Sequence, residues 1–163
     1  MRILLDATCI VDQPTGAGFY AYNIIKSLVS TDFSNDYTVL VQSKLSPSHP
    51  IFSLGKDKKI NFIRKPIPVI GFKRDLVLSF FLWVRSRKYD IFLSFMPYLP
   101  IFFSHHNSII TIHDLGYLTF PNFFKRPWYK IYFKFILKHS LARAIKIFTV
   151  SNSTKKDLAD KFL

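Results

Sequence analysis

An open α/β sheet of mostly parallel strands, with helices on both faces, is the fold class this sequence predicts. Three observations predict it. Apolar runs of strand length alternate with longer runs of helical period along the chain. Several strand candidates are apolar throughout, as buried parallel strands are. Polar residues capable of chemistry gather just past strand ends, and open α/β sheets bind ligands outside the carboxyl ends of their strands.

The elements follow in order. RILL, at residues 2–5, is the first strand and runs up to Asp6. The loop ATCIVDQPTGAG leads to a helix over GFYAYNIIKSLVS. Tyr20, Ile24, Ser27 and Leu28 mark one of its faces, and Phe19, Asn23 and Lys26 another. YTVLVQS is the second strand, LSPSHP a turn region with two prolines, and KINFIRK the third strand. Pro66, Pro68 and Gly71 break the pattern before a helix over RDLVLSFFLWVRSRK, apolar until Arg85. YDIFLSF is the fourth strand and SIITI the fifth, ending near Ile112. A long helix over RPWYKIYFKFILKHSLARA carries Pro127 in its first turn, where the missing N–H does no harm. IKIFTV is the sixth strand, and SNSTKKDLADKFL begins a further helix capped by Ser151 or Ser153. No internal repeat or low-complexity tract interrupts the series.

The chain of 163 residues suits one domain, and its 49% hydrophobic content supplies a core, which excludes disorder. The lone Cys9 excludes an intramolecular disulfide. The first residues are too short and too soon acidic for a secretory signal. No apolar run reaches the roughly 18 residues of a spanning helix. The formal charge of +13 is unevenly spread. Up to Gly55 there are three basic and four acidic residues; from Lys56 onward there are twenty and six. Such a gradient points to an anionic partner, or else to a solvated basic surface.

Three polar clusters are expected on one rim of the sheet. PTGAGFY places Gly16 and Gly18 just before a helix, where backbone amides can approach an anion. The spacing is not GxGxxG and no P-loop lysine follows, so a tight turn explains it equally well. IITIHDLGYLTFP puts His113 and Asp114 where a strand runs out. A histidine there can exchange a proton or bond a hydroxyl, and a carboxylate can bind hydroxyls; a loop cap is the plain alternative. TVSNST sets Ser151, Ser153 and Thr154 at a helix start, where capping is the commonest role of hydroxyls. His105, His106 and His113 have no zinc-like spacing, so no metal is expected.

KRPWYKIYFKFILKHS carries Lys130, Lys134 and Lys138 as one stripe, with apolar and aromatic residues nearly all round. Two readings stand. The helix is wedged between sheet and neighbours, or it lies in a membrane interface with its lysines toward lipid phosphates. Nucleic acid has only charge in its favour.

Taken together, DATCIVDQPTGAGFYAYNIIKSL, YDIFLSFMPYLP, IITIHDLGYLTFP and RAIKIFTVSNSTKKDL, in that order and spacing, resemble the N-terminal domain of the family 4 glycosyltransferases. The resemblance covers essentially all of residues 1–163. It implies a Rossmann-like domain, one half of a two-domain (GT-B) fold. It also implies that a sugar passes from a nucleotide-sugar to a glycan or lipid-linked acceptor, with no further cofactor. By resemblance His113 contacts the transferred sugar, and Asp114 shapes the loop or binds hydroxyls. Gly16 and Gly18 line the cleft near donor phosphates or acceptor, and Ser151 opens a serine motif on the far side of the rim. The donor-binding half is absent from these residues. The 163 residues alone are therefore expected to turn over little or no nucleotide-sugar. The alternative is a non-catalytic Rossmann-like binding module or an inactive truncated fragment, either one open to membrane association. A cytoplasmic enzyme, peripheral at the inner face of the cell membrane, is the expected setting.

Overall fold

The computed structural model describes residues 1–13, 15–55, 60–119 and 127–162. Pro14 in the glycine loop, Lys59 in the expected third strand, Arg126 at the start of the long helix, Pro121 and Leu163 lie outside the described residues.

Six strands form one sheet: β1 (Arg2–Asp6), β2 (Asp36–Gln42), β3 (Ile60–Lys65), β4 (Ile91–Ser94), β5 (Ser108–Ile112) and β6 (Ala144–Thr149). Every pair is parallel, in the order β3-β2-β1-β4-β5-β6. The helices are α1 (Gly16–Thr31), α2 (Phe72–Arg85), the short α3 (Gly116–Thr119), α4 (Pro127–Arg143) and α5 (Asn152–Phe162). The strands run outward from β1 to β3, then return to β4 beside β1 and continue the other way. The order reverses between β1 and β4, the kind of crevice where open α/β sheets bind ligands.

The apolar strand runs form the core. Leu4, Leu5, Val39, Leu40, Phe92, Ile110 and Ile112 are wholly buried. Burying a side chain of this size is worth about 1.5–3 kcal/mol. Two expectations change in the structure. The buried stripe of α1 is Gly18, Ala21, Ile25 and Val29, with Tyr20, Ile24 and Leu28 only partly covered beside it. The stripe begins with glycine because α1 starts close against the β1 loop, where a Cβ on Gly18 would stand 2.9 Å from the Cys9 carbonyl. Residues 86–88 do not prolong α2; they form a separate turn of 3₁₀ helix. Two short pieces were not expected at all, a 3₁₀ turn at Pro50–Gly55 and α3. Short turns carry too little periodicity to be read.

One charged pair is buried beneath the crevice. Asp6, at the end of β1, is 0% exposed, and Arg74 of α2 is 3% exposed. The Arg74 guanidinium bonds the Asp6 carboxylate and reaches Thr8 Oγ1 at 2.7 Å and the Pro68 carbonyl at 3.3 Å. Asp6 also accepts from Thr8 Oγ1 at 2.7 Å, the Thr8 amide at 3.2 Å and Ser94 Oγ at 3.4 Å. A buried ion pair of this kind holds only because its remaining bonds are met. Ser94 Oγ in turn accepts from the Met96 amide at 3.1 Å, which ties the network to the crevice floor.

Beside it, α2 and α4 are joined by the Tyr132 hydroxyl, which donates to Asp75. Burial raises Asp75 above the usual carboxylate range, against the pull of Tyr132 and Arg74. Buried serines anchor the β4–β5 connection: Leu99 N donates to Ser140 Oγ at 2.7 Å and Phe103 N to Ser79 Oγ at 3.2 Å. His105 is a structural staple. Its Nδ1 accepts from Asn107 N at 3.2 Å, so Nε2 is the donor toward the carbonyls of Ser86 and Tyr89.

Candidate functional site

At the carboxyl rim a cleft of about 670 Å³ opens, lined among others by Gly16, Tyr20, Ile70, Met96, His113 and Asp114. Each lining group arrives for a local reason. β5 stops at Ile112, opposite the last residue of β6, Thr149, and two residues beyond its last pairing with β4, which leaves residues 113–115 as loop. Met96 and Pro97, in the bend just past β4, also line it.

His113 is half-buried and held from three sides. Its Nε2 lies 2.9 Å from the Phe95 carbonyl. A carbonyl only accepts, so Nε2 is the donor, and Nδ1 has no hydrogen-bond partner among the described residues. The Tyr20 ring meets the imidazole edge-on, with centroids 5.2 Å apart. Thr154 Oγ1 donates to the His113 carbonyl at 3.0 Å. The ring is thus fixed in tautomer and direction while one nitrogen remains available beside the cleft.

Asp114 is exposed. One carboxylate oxygen accepts from the Gly116 amide at 2.8 Å, which folds the loop back on itself. The second oxygen has no hydrogen-bond partner among the described residues. Such a carboxylate can accept from hydroxyls.

The two glycines of the β1–α1 loop separate in role. Thr15 caps α1, accepting from Gly18 N at 3.1 Å. A Cβ on Gly18 would stand 2.9 Å from the Cys9 carbonyl, so that position is closed by packing. A Cβ on Gly16 would meet nothing within 4 Å. Gly16 is on the cleft wall, and Gly18 is buried one helical step behind it. Gly16 and Ala17, the first two residues of α1, thus line the cleft at the positive end of the helix dipole.

Ser151 caps α5: its Oγ accepts from Thr154 N at 3.0 Å and lies 2.9 Å from Thr154 Oγ1. The Thr154 proton is committed to the His113 carbonyl, so Ser151 is the donor between the two hydroxyls. The serine cluster thus reaches His113 through Thr154. The other hydroxyl of the expected pair of caps, Ser153, is exposed within α5.

Three contributors were not legible as site residues in the sequence: Tyr20, the Phe95 carbonyl and Thr154 as a support for His113. The signals were the place of Thr154 in the rim cluster TVSNST and of Phe95 just past β4; Tyr20 lies inside α1 and carried none. Cys9 is buried, and burial pushes its thiol up to about 12, which leaves it uncharged. Among the described residues no three of His, Cys and Asp stand together as metal ligands would. None of the described helices is long and apolar enough to cross a membrane.

Residues 14–163 match the family model described as Glycosyltransferase Family 4. Neither the curated proteins nor the solved structures contain a match to the chain.

Proposed function

Because the chain belongs to glycosyltransferase family 4, whose general role is sugar transfer, we propose that it forms the acceptor-side half of a two-domain transferase. In this reading a sugar moves from a nucleotide-sugar to a glycan or lipid-linked acceptor. A donor-binding domain closes the other side of the cleft. The proposed setting is the cytoplasmic face of the cell membrane.

The observation that carries this reading is His113, tethered through Nε2 and open at Nδ1 on the wall of a cleft large enough for a sugar. In the transfer, the bond between the anomeric carbon and the phosphate oxygen breaks. A bond from the acceptor hydroxyl oxygen to that carbon forms, and the hydroxyl proton passes to the departing phosphate oxygen. Positive charge grows on the sugar ring and negative charge on the departing phosphate. His113 Nδ1 accepts from a hydroxyl of the sugar and orients it. The free oxygen of Asp114 takes a second hydroxyl. The amides of Gly16 and Ala17 face the side where negative charge develops, where fixed dipoles act without reorganising.

Transfer and hydrolysis of a nucleotide-sugar panel would be measured with the chain joined to a donor-binding domain, beside His113→Gln. Glutamine can keep the bond to the Phe95 carbonyl but has no counterpart of Nδ1. Activity in the parent that falls about 100-fold or more in the variant, with unchanged unfolding, supports the reading. Equal activity in both would remove His113 from the chemistry. Saturable ligand binding without turnover in either would favour a binding module.

A further inference from the structure

We propose that the exposed face of α2 docks this protein on an anionic lipid bilayer, with the mouth of the cleft at the edge of the contact. The sugar-transfer reading enters only in the use of that contact, which is to receive an acceptor from the membrane plane.

The face is apolar by pattern as well as by exposure. Phe72, Leu76, Phe80, Trp83 and Val84 recur at helical spacing and so share one side of α2. Each is between 47% and 65% exposed. The opposite side of the same helix buries Leu78, Phe81 and Leu82 in the core. A soluble helix needs only that one apolar stripe, and the second has no partner among the described residues. Single exposed apolar residues are ordinary, but a contiguous aromatic row marks a contact surface. Phe102 extends the row, meeting Phe72 edge-on with centroids 5.7 Å apart. Ile70, half exposed at the start of the row, also lines the cleft, so the two surfaces are continuous.

Charge identifies the occupant. The single acid of α2, Asp75, is buried and bonded to Tyr132, so no negative side chain stands on the exposed face. Lys73, Arg87 and Lys88 are exposed along and just after the helix. At the flank of the row, a groove of about 380 Å³ has walls of Val77, Phe80 and Val84 and two cations, Lys65 and Arg85. Apolar walls under paired cations fit an acyl chain beneath its phosphate. Aromatic residues on one face with cations around them are the pattern of helices that lie in a bilayer interface. The lysine stripe of α4 is a weaker candidate. Its Trp128, Ile131 and Phe135 are exposed, but they form a shorter row of three.

The chain has two tryptophans, one on each helix, so fluorescence can tell which helix enters lipid. Trp128→Phe leaves Trp83 as reporter, and Trp83→Phe leaves Trp128. The full chain would be mixed with vesicles of phosphatidylcholine alone or with added phosphatidylglycerol, some carrying brominated acyl chains. The expected result is a blue shift and bromine quenching of Trp83, stronger with phosphatidylglycerol. Phe80→Ser combined with Trp83→Ser should weaken co-sedimentation roughly tenfold or more. Lys65→Gln with Arg85→Gln should erase the preference for phosphatidylglycerol. These positions are exposed or at the surface, and circular dichroism checks that the variants fold. Quenching of Trp128 without Trp83 would overturn the assignment. So would a soluble dimer that the Phe80 and Trp83 changes dissociate, or no binding to any vesicle. Loss of sugar transfer would leave each of these readouts unchanged, so the two ideas fail separately.

Discussion

Two strand ends on the same rim carry acidic side chains, and they behave in opposite ways. At the end of β1, Asp6 is fully enclosed, and its oxygens are met by Thr8, Ser94 and Arg74. At the end of β5, Asp114 is exposed and His113 half-buried, and each keeps one acceptor atom without a partner among the described residues. A polar residue where a strand runs out is therefore not in itself a sign of chemistry. The discriminating property is how much hydrogen-bonding capacity the protein has already consumed. The β1 end spends all of it on the fold, and the β5 end reserves some for a ligand.

The sharpest way to break this comparison is to remove one partner of the enclosed pair. Arg74→Ala strands the Asp6 carboxylate in the core and should cost about 3–5 kcal/mol in urea unfolding. Asp114→Asn, by contrast, should stay within about 0.5 kcal/mol, as surface changes do. Comparable losses in both would mean that the β5 end is structural too. Next in size is the catalytic effect of His113→Gln, about 100-fold in turnover at nearly unchanged stability.

The glycines extend the same contrast to the β1–α1 loop. Gly18→Ala forces a Cβ against the Cys9 carbonyl and should destabilise by about 1–3 kcal/mol. Gly16→Ala has open space and a negative φ, and should raise stability by about 0.4–1 kcal/mol through the unfolded chain. If Gly16 lies against donor or acceptor, the same change weakens ligand binding while the protein becomes more stable. A titration of both variants reads the two effects apart.

The smallest effect is electrostatic and lies at the opposite, amino-terminal edge of the sheet. The Arg2 side chain and amide bond Asp90 and hold its carboxylate at about 2. The folded chain then binds fewer protons than the unfolded one between that value and the ordinary carboxylate range. The resulting stability is present above the unfolded value and is lost as pH falls toward 2. Arg2→Gln should flatten the fall of Tm between pH 5 and pH 2. An unchanged slope would assign the acid limb to other carboxylates, such as Asp32, which its bonds to Tyr37 and Asn35 also depress.

Much of the fold was legible because its signals are local. Apolar runs such as RILLD and SIITI, set between helical segments, are enough to specify buried parallel strands, and the end of β5 at Ile112 was placed correctly. Boundaries were less legible. α1 begins at Gly16 rather than Gly18, since Thr15 caps it from a residue that reads as loop. β6 begins at Ala144, and its register with β5 skips a residue: Ser108 pairs with Ala144 but Ile109 with Lys146. A skip of that kind depends on the partner strand and leaves no trace in the sequence of either.

The sequence by itself determined the alternation of strands and helices, the apolar core, the excess of positive charge and the residues that stand at the rim. Periodicity, composition and caps act over a few residues, so one stretch of chain is enough to read them. Only the tertiary structure decided which of the rim residues are spent and which are open. The partner of Asp6 is 68 residues away, that of Asp75 is 57 away, and His113 is held by Phe95 and Thr154 from two other connections. Hydrogen bonds over such separations exist only once the sheet order has brought the strand ends together.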